Sequence, residues 1–262
     1  MPCGVRQSYV PDVRELLIVT AALWGTGVGL LLPRAAHRLS VDAGRPWSDR
    51  CPDGHPITGT FGGWLGRARC ADGDPPRSCG AYGPSTVAVT VATALVCTSL
   101  AAAAGPRPET AVWLLAAPVA VLLSLVDYRV HRLPDVLTLP LAALTAALLG
   151  AAAALPAATG SWSTSLLGGL SLGAAYFVLF LVNPAGMGFG DVKLALALGV
   201  ALGWYGWDIL LTGALTGLLY GAVYGLALVA LRGADRRSAI PLGPFMTGGA
   251  FTGLVLGAAA VA

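Results

Sequence analysis

The chain has 262 residues, 56% of them hydrophobic and only 11% charged, with a mean hydropathy of +0.73. Soluble domains carry about 25% charged residues, so this composition excludes a water-soluble globule and predicts an all-α polytopic membrane protein surrounded by lipid. The net charge of +3 comes with no nucleic-acid-binding motif, and no nucleic acid is expected as a partner.

The first apolar run, 14–33, continues to Leu32 without a small-residue cleavage site, so residues 1–33 read as a retained first transmembrane helix and not a signal peptide. Residues 34–85 break the pattern. They are polar and rich in Gly and Pro, and they predict a small loop subdomain outside the membrane. Further runs near 86–105, 109–126, 136–157, 164–183, 191–204, 208–231 and 242–261 make 86–262 a transmembrane domain. The prediction is about eight spans in all, since a helix needs roughly 20 residues to cross about 30 Å of hydrocarbon. The run 191–204 is the shortest, and Gly199 with Gly203 predicts close helix packing and a place in the bundle interior.

Alternating these spans puts the 34–85 loop on the same side as Arg129, Arg132, Lys193, Arg232, Arg236 and Arg237, leaving Arg6, Arg14 and Arg107 opposite. The positive-inside rule makes the first side cytoplasmic, the short loops counting for more than the long one. On this topology Asp127 ends the third span as it reaches the cytoplasmic face, and Asp191 opens the sixth as it leaves that face.

An acid inside a membrane segment costs several kcal/mol, about 2.5–3.5 on insertion scales, and marks a candidate functional site. Two neighbouring carboxyls in a poorly solvated place share one proton. The ionised member then takes a proton from an attacking water while the protonated member polarises a peptide carbonyl. Each acid also has a plainer reading: Asp191 as N-cap of a helix after a glycine-rich turn, Asp127 as an interfacial residue paired with Arg129 or Arg132. Gly188 and Gly190 would let a substrate strand approach the backbone. Lys193 either meets an acidic partner or snorkels to the interface. His131 reads as interfacial, and Phe189, Trp204 and Trp207 as packing or interface aromatics.

The segments "DYRVHRLPDVLTLPL" and "GMGFGDVKL" resemble the two catalytic segments of the type IV prepilin peptidases, membrane aspartic proteases of the GxGD class. Asp127, Leu133, Pro134 and Asp135 fit the first segment, and Gly188, Gly190, Asp191 and Lys193 the second. "IPLGPFMTGGA" resembles the family's final helix through Pro241, Gly243, Pro244 and Phe245. The resemblance implies Asp127 and Asp191 as the catalytic dyad, with Pro134, Gly188, Gly190 and Lys193 shaping the site. It also implies a prepilin or pseudopilin-like substrate whose short basic leader is removed at the cytoplasmic face of the plasma membrane, without a cofactor.

Many family members also N-methylate the new terminus with S-adenosylmethionine. Here "GLLLPRAAHRLS" has Pro33 where Asn is usual, and methylation stays open. Many carry two C-x-x-C pairs in the loop. This chain keeps Cys51, His55, Cys70 and Cys79, either a structural zinc set or thiols without metal. The rival function is a proton-coupled transporter using the paired acids, which would place them near the midplane and often shows an internal repeat. Neither feature is visible. The sequence does not set the oligomeric state.

Overall fold

In hydrocarbon a backbone must satisfy its own hydrogen bonds, and each of the eight apolar runs accordingly forms a helix. The computed structural model describes residues 12–42, 44–70, 80–184, 186–232 and 240–261. The helices are α1 (Val13–Leu39), α2 (Thr60–Gly63), α3 (Thr86–Ala104), α4 (Pro108–Val130), α5 (Asp135–Ala153), α6 (Trp162–Val182), α7 (Phe189–Gly203), α8 (Trp207–Arg232) and α9 (Gly243–Ala260).

Six of the eight expected spans, α1, α3, α4, α5, α6 and α8, are long and apolar enough to cross a membrane. This makes the chain a multi-pass membrane protein. The other two are not among these six: α7 has only 15 residues, about 22 Å of helix, and α9 has 18, about 27 Å. Helix α7 is instead the interior element, with Val192, Leu194, Ala195 and every residue from Ala197 to Gly203 buried.

Small residues bring its neighbours close, because lipid supplies no hydrophobic drive between helices and backbone proximity must replace it. A Cβ added at Gly168 on α6 would lie 2.7 Å from the Gly199 carbonyl oxygen, and one at Gly203 would lie 2.6 Å from the Thr164 carbonyl oxygen. The expected glycine packing and interior position of 191–204 are thus both found.

Helix α1 runs through Pro33 to Leu39, past its expected end, so Arg34 and Arg38 are helical and not loop residues. They reach into the following segment. Arg34 Nη1 donates to the Thr58 carbonyl (2.9 Å) and Arg38 Nη1 to that of Gly62 (2.7 Å). That segment has its own small core of Cys51, Ile57, Ala68 and Tyr82, with α2 a single turn in which Phe61 and Gly62 are left-handed.

The α6–α7 contact generates a stability prediction. Gly199→Val would drive side-chain atoms into the Gly168–Gly169 backbone and is expected to cost about 1–3 kcal/mol as overpacking, seen as a lowered unfolding midpoint in detergent. Gly27→Val, where a Cβ meets nothing within 4 Å, should leave the midpoint unchanged.

Candidate active site

Asp127 is the last buried residue of α4. The helix stops at His131, which is left-handed (φ 50°, ψ 42°) and donates its N–H to the Asp127 carbonyl at 2.8 Å. After this turn Leu133 and Pro134 are buried. Pro134 is the N-cap of α5, where its fixed φ suits an extended entry.

Asp191 sits at the third position of α7. The N-cap is Gly188, which corrects the expectation of Asp191 as cap. Asp191 Oδ2 accepts the Gly188 N–H at 3.0 Å, and Asp191 N–H returns a bond of 3.0 Å to the Gly188 carbonyl. A carboxylate in a helix's first turn is also favoured by the helix dipole.

The two acids come together. Asp127 and Asp191 are 4% and 6% exposed, and the Asp127 carboxylate acts electrostatically on Asp191. Each holds one oxygen on a glycine N–H, since Asp127 Oδ2 accepts from Gly243 at the start of α9 (2.8 Å). The expected pairing of Asp127 with Arg129 or Arg132 gives way to this bond, and Arg132 Nη1 donates instead to the Asp42 carbonyl (3.1 Å). Asp191 Oδ1 is buried without a hydrogen-bond partner among the described residues. An unsatisfied buried oxygen is where a proton or a water would be held.

The three sequence motifs therefore meet at one place, the end of α4 and the starts of α7 and α9. Residues 114–230 match the family described as the type IV leader peptidase family. The chain is 36% identical over 205 residues to a prepilin leader peptidase/N-methyltransferase of Aeromonas hydrophila, covering 75% of this chain and 67% of the relative. A protein of the same description from Aeromonas salmonicida is 34% identical over 223 residues, covering 82% and 72%. One from Pseudomonas aeruginosa is 39% identical over 127 residues, covering 47% and 42%. The chain belongs to the type IV leader peptidase family. It is therefore a peptidase of the membrane. No solved structure matches it.

The family's second motif is tied to its first by Lys193, whose Nζ lies 2.6 Å from Asp135 Oδ1 and 4.9 Å from the centre of the Phe189 ring. Of the two readings of Lys193, the acidic partner is the one found. With Asp135 63% exposed, the pair stabilises by no more than about 0.2–1 kcal/mol, so its effect is chiefly to fix α7 against α5. Gly190 packs closely against the chain's own first motif. A Cβ there would lie 2.8 Å from Leu133 Cβ, so its bare face admits the α4–α5 turn. Gly188 has room for a Cβ, whose nearest contact would be Asp191 Oδ2 at 3.5 Å.

Some of the site escaped sequence reasoning. Gly243 was visible as a motif residue but not as the donor to Asp127, and its signal is steric: a Cβ there would sit 2.9 Å from Asp127 Oδ2. Tyr176, buried on α6 within electrostatic reach of Asp191, gave no signal at all.

A second cluster lies in the segment between α1 and α3. The ligand atoms of Cys51, His55 and Cys70 lie within 4.8 Å of one another, and a turn joins Cys51 to His55, with Cys51 Sγ 3.5 Å from His55 Nδ1. Cys79 lies outside the described residues.

Proposed function

We propose that this family member is an aspartic endopeptidase that removes the short basic leader of prepilin- or pseudopilin-like proteins at the cytoplasmic face of the plasma membrane. The observation that carries the reading is the meeting of Asp127 and Asp191, two buried carboxyls far apart in sequence and close enough to act on each other. The names of the relatives favour this substrate class, and membership of a peptidase family favours it over a proton-coupled transporter.

In the mechanism the pair holds one proton. The ionised carboxylate takes a proton from water as its oxygen adds to the scissile carbonyl, and the protonated partner donates to the carbonyl oxygen. Collapse of the tetrahedral intermediate breaks the C–N bond: the proton taken from water passes to the departing amine, and the proton given to the carbonyl oxygen returns to the carboxyl that supplied it. The Gly188 and Gly243 N–H groups each hold one oxygen, Asp191 Oδ2 and Asp127 Oδ2, and leave the other oxygen of each carboxyl for chemistry. Pro134, Gly190 and Lys193 position the two motifs, and Gly188 supplies the N–H that orients Asp191.

A cytoplasmic site is supported by the distribution of cations. Arg34, Arg38, Arg129, Arg132 and Lys193 belong to the end of the bundle that holds the acids, whereas Arg107 donates to the Ala258 and Val261 carbonyls at the other end.

Zinc fits the loop cluster. Cys51, His55 and Cys70 supply thiolate and imidazole donors converging from one turn and one neighbouring stretch of chain, three of the four donors that a tetrahedral zinc takes. The segment packs only a small core, and a metal would tether it. S-adenosylmethionine is not similarly supported: Pro33, buried within α1, offers no amide where the family pattern has Asn, and no step is derived through a methyl donor.

Asp127→Asn and Asp191→Asn are each expected to abolish leader cleavage while leaving membrane insertion intact, because one amide removes either the base or the acid. Co-expression with a candidate prepilin and a gel-shift readout checks this; substantial processing by either variant would defeat the assignment. For orientation, a cysteine replacing Ser161 should react with an impermeant maleimide in intact cells and one replacing Asp53 should not. The reverse pattern puts the acids on the wrong side. Purified protein should contain close to one zinc by metal analysis, lost in Cys51→Ser; less than about a tenth of an equivalent, where a structural site should be filled, rejects the zinc site.

A further inference from the structure

Part of the segment between α1 and α3 does not stand clear of the membrane. Helix α1 carries no charge between Glu15 and Arg34, and this stretch, Leu16–Pro33, is about 27 Å of helix, close to the hydrocarbon thickness of about 30 Å. Pro33 is thereby placed at one edge of the hydrocarbon. The turn Gly59–Gly66 is bound at that edge and not above it. Gly66 N–H donates to the Leu31 carbonyl at 3.0 Å, and Arg34 N–H donates to the Gly66 carbonyl at 3.2 Å. Trp64 packs against the apolar cluster that holds Leu32 and Ala36 of α1 and Val126 of α4. Val126 precedes Asp127, so the turn flanks the catalytic end of the bundle.

Three features bear on what covers this turn. Its backbone is closed on itself. Each of the five carbonyls from Thr58 to Gly62 accepts a hydrogen bond: Arg34 and Arg38 donate to the first and last, and the N–H groups of Gly63, Leu65 and Trp64 to those of Gly59, Thr60 and Phe61. Irregular backbone in water can leave such groups to the solvent, whereas beside lipid it must satisfy them within the chain. The second feature is Phe61, which is 76% exposed and left-handed at φ 52°, ψ 47°. Glycine takes this conformation freely, as Gly62 does next to it, but a bulky residue takes it under strain. A ring so exposed is not held there by packing within the chain. The third feature is the surroundings of the turn. Exposed Trp47 meets Trp64 edge to face with ring centres 5.1 Å apart, and the Arg38 guanidinium lies 4.2 Å from the centre of the Trp64 ring. Tryptophan with arginine is the composition of a membrane interface, and residues 34–70 set six arginines against three aspartates, a balance suited to headgroup phosphates.

We infer that the Gly59–Gly66 turn is a lipid anchor, in which the Phe61 ring enters the phospholipid leaflet at the catalytic end of the bundle while Trp47, Trp64 and the arginines lie at headgroup level. A second copy of the chain could also cover an exposed ring, but it would not require the carbonyls of the turn to be satisfied at the depth of Leu31. The anchor goes beyond the peptidase reading and does not depend on it. It holds the segment that contains Cys51, His55 and Cys70 against the bilayer.

4-Fluorophenylalanine in place of Phe61 hardly changes its shape, so the turn keeps its fold. In the full chain in phospholipid nanodiscs, the fluorine resonance should broaden with a phospholipid carrying a nitroxide near the top of its acyl chain, and less with a soluble gadolinium chelate. Stronger broadening by the chelate puts the ring in water and overturns the anchor. Broadening by neither puts the ring against protein and overturns it as well. The photo-crosslinker p-benzoylphenylalanine at the same position identifies what the ring touches. Adducts with phospholipid are expected, and adducts with a protein chain alone reject the inference.

Discussion

Placing two carboxyl groups at the end of a membrane bundle, out of water and beside each other, is the constraint around which this fold is arranged. One buried ionisable group costs several kcal/mol, and a second of the same sign raises that cost. The offset comes from helix ends. Asp191 lies in the first turn of α7, and Asp127 accepts a hydrogen bond from the first turn of α9, so both carboxyls face the positive end of a helix dipole.

Fixing those helix starts is the work of the packing. Helix α7 is enclosed because Gly168 and Gly169 on α6 meet Gly199 and Gly203 nearly backbone to backbone. Its N-terminus is then set by Leu133 against Gly190 and by the Lys193–Asp135 pair. Interiors of this density transmit small displacements, and acid–base chemistry loses rate steeply when groups shift by an ångström. Substitutions remote from the acids, at the α6–α7 contact, thus bear on catalysis through geometry.

Much of this was legible in the sequence, for identifiable reasons. Hydropathy located every long helix, because in lipid an apolar run has few conformations open to it. The two acids stood out because so few charges interrupt the apolar background. Helix ends were less accessible: α1 continues through Pro33 to Leu39 since its carbonyls and arginines find partners in the following segment, a tertiary effect. The Gly243 donor and the Lys193–Asp135 pair depend on which helices are neighbours, and a linear pattern does not carry that information.

Helix α4 also shows why burial alone does not mark a catalytic acid. At its far end Glu109 is fully buried, its Oε1 accepting from Thr159 Oγ1 at 2.6 Å and its Oε2 without a partner among the described residues. Along the helix it is about 27 Å from Asp127. Its surroundings differ in kind, for the titratable group it acts on is Tyr205, which accepts from Trp113 Nε1 and also feels Arg107. This carboxyl ties the α5–α6 connection to α4 through Thr159, and among the described residues no second carboxyl is recorded beside it to act as the complementary acid or base. The same residue chemistry at two ends of one helix therefore yields a structural tether and half of a catalytic pair, and what separates them is the arrival of α7 with Asp191.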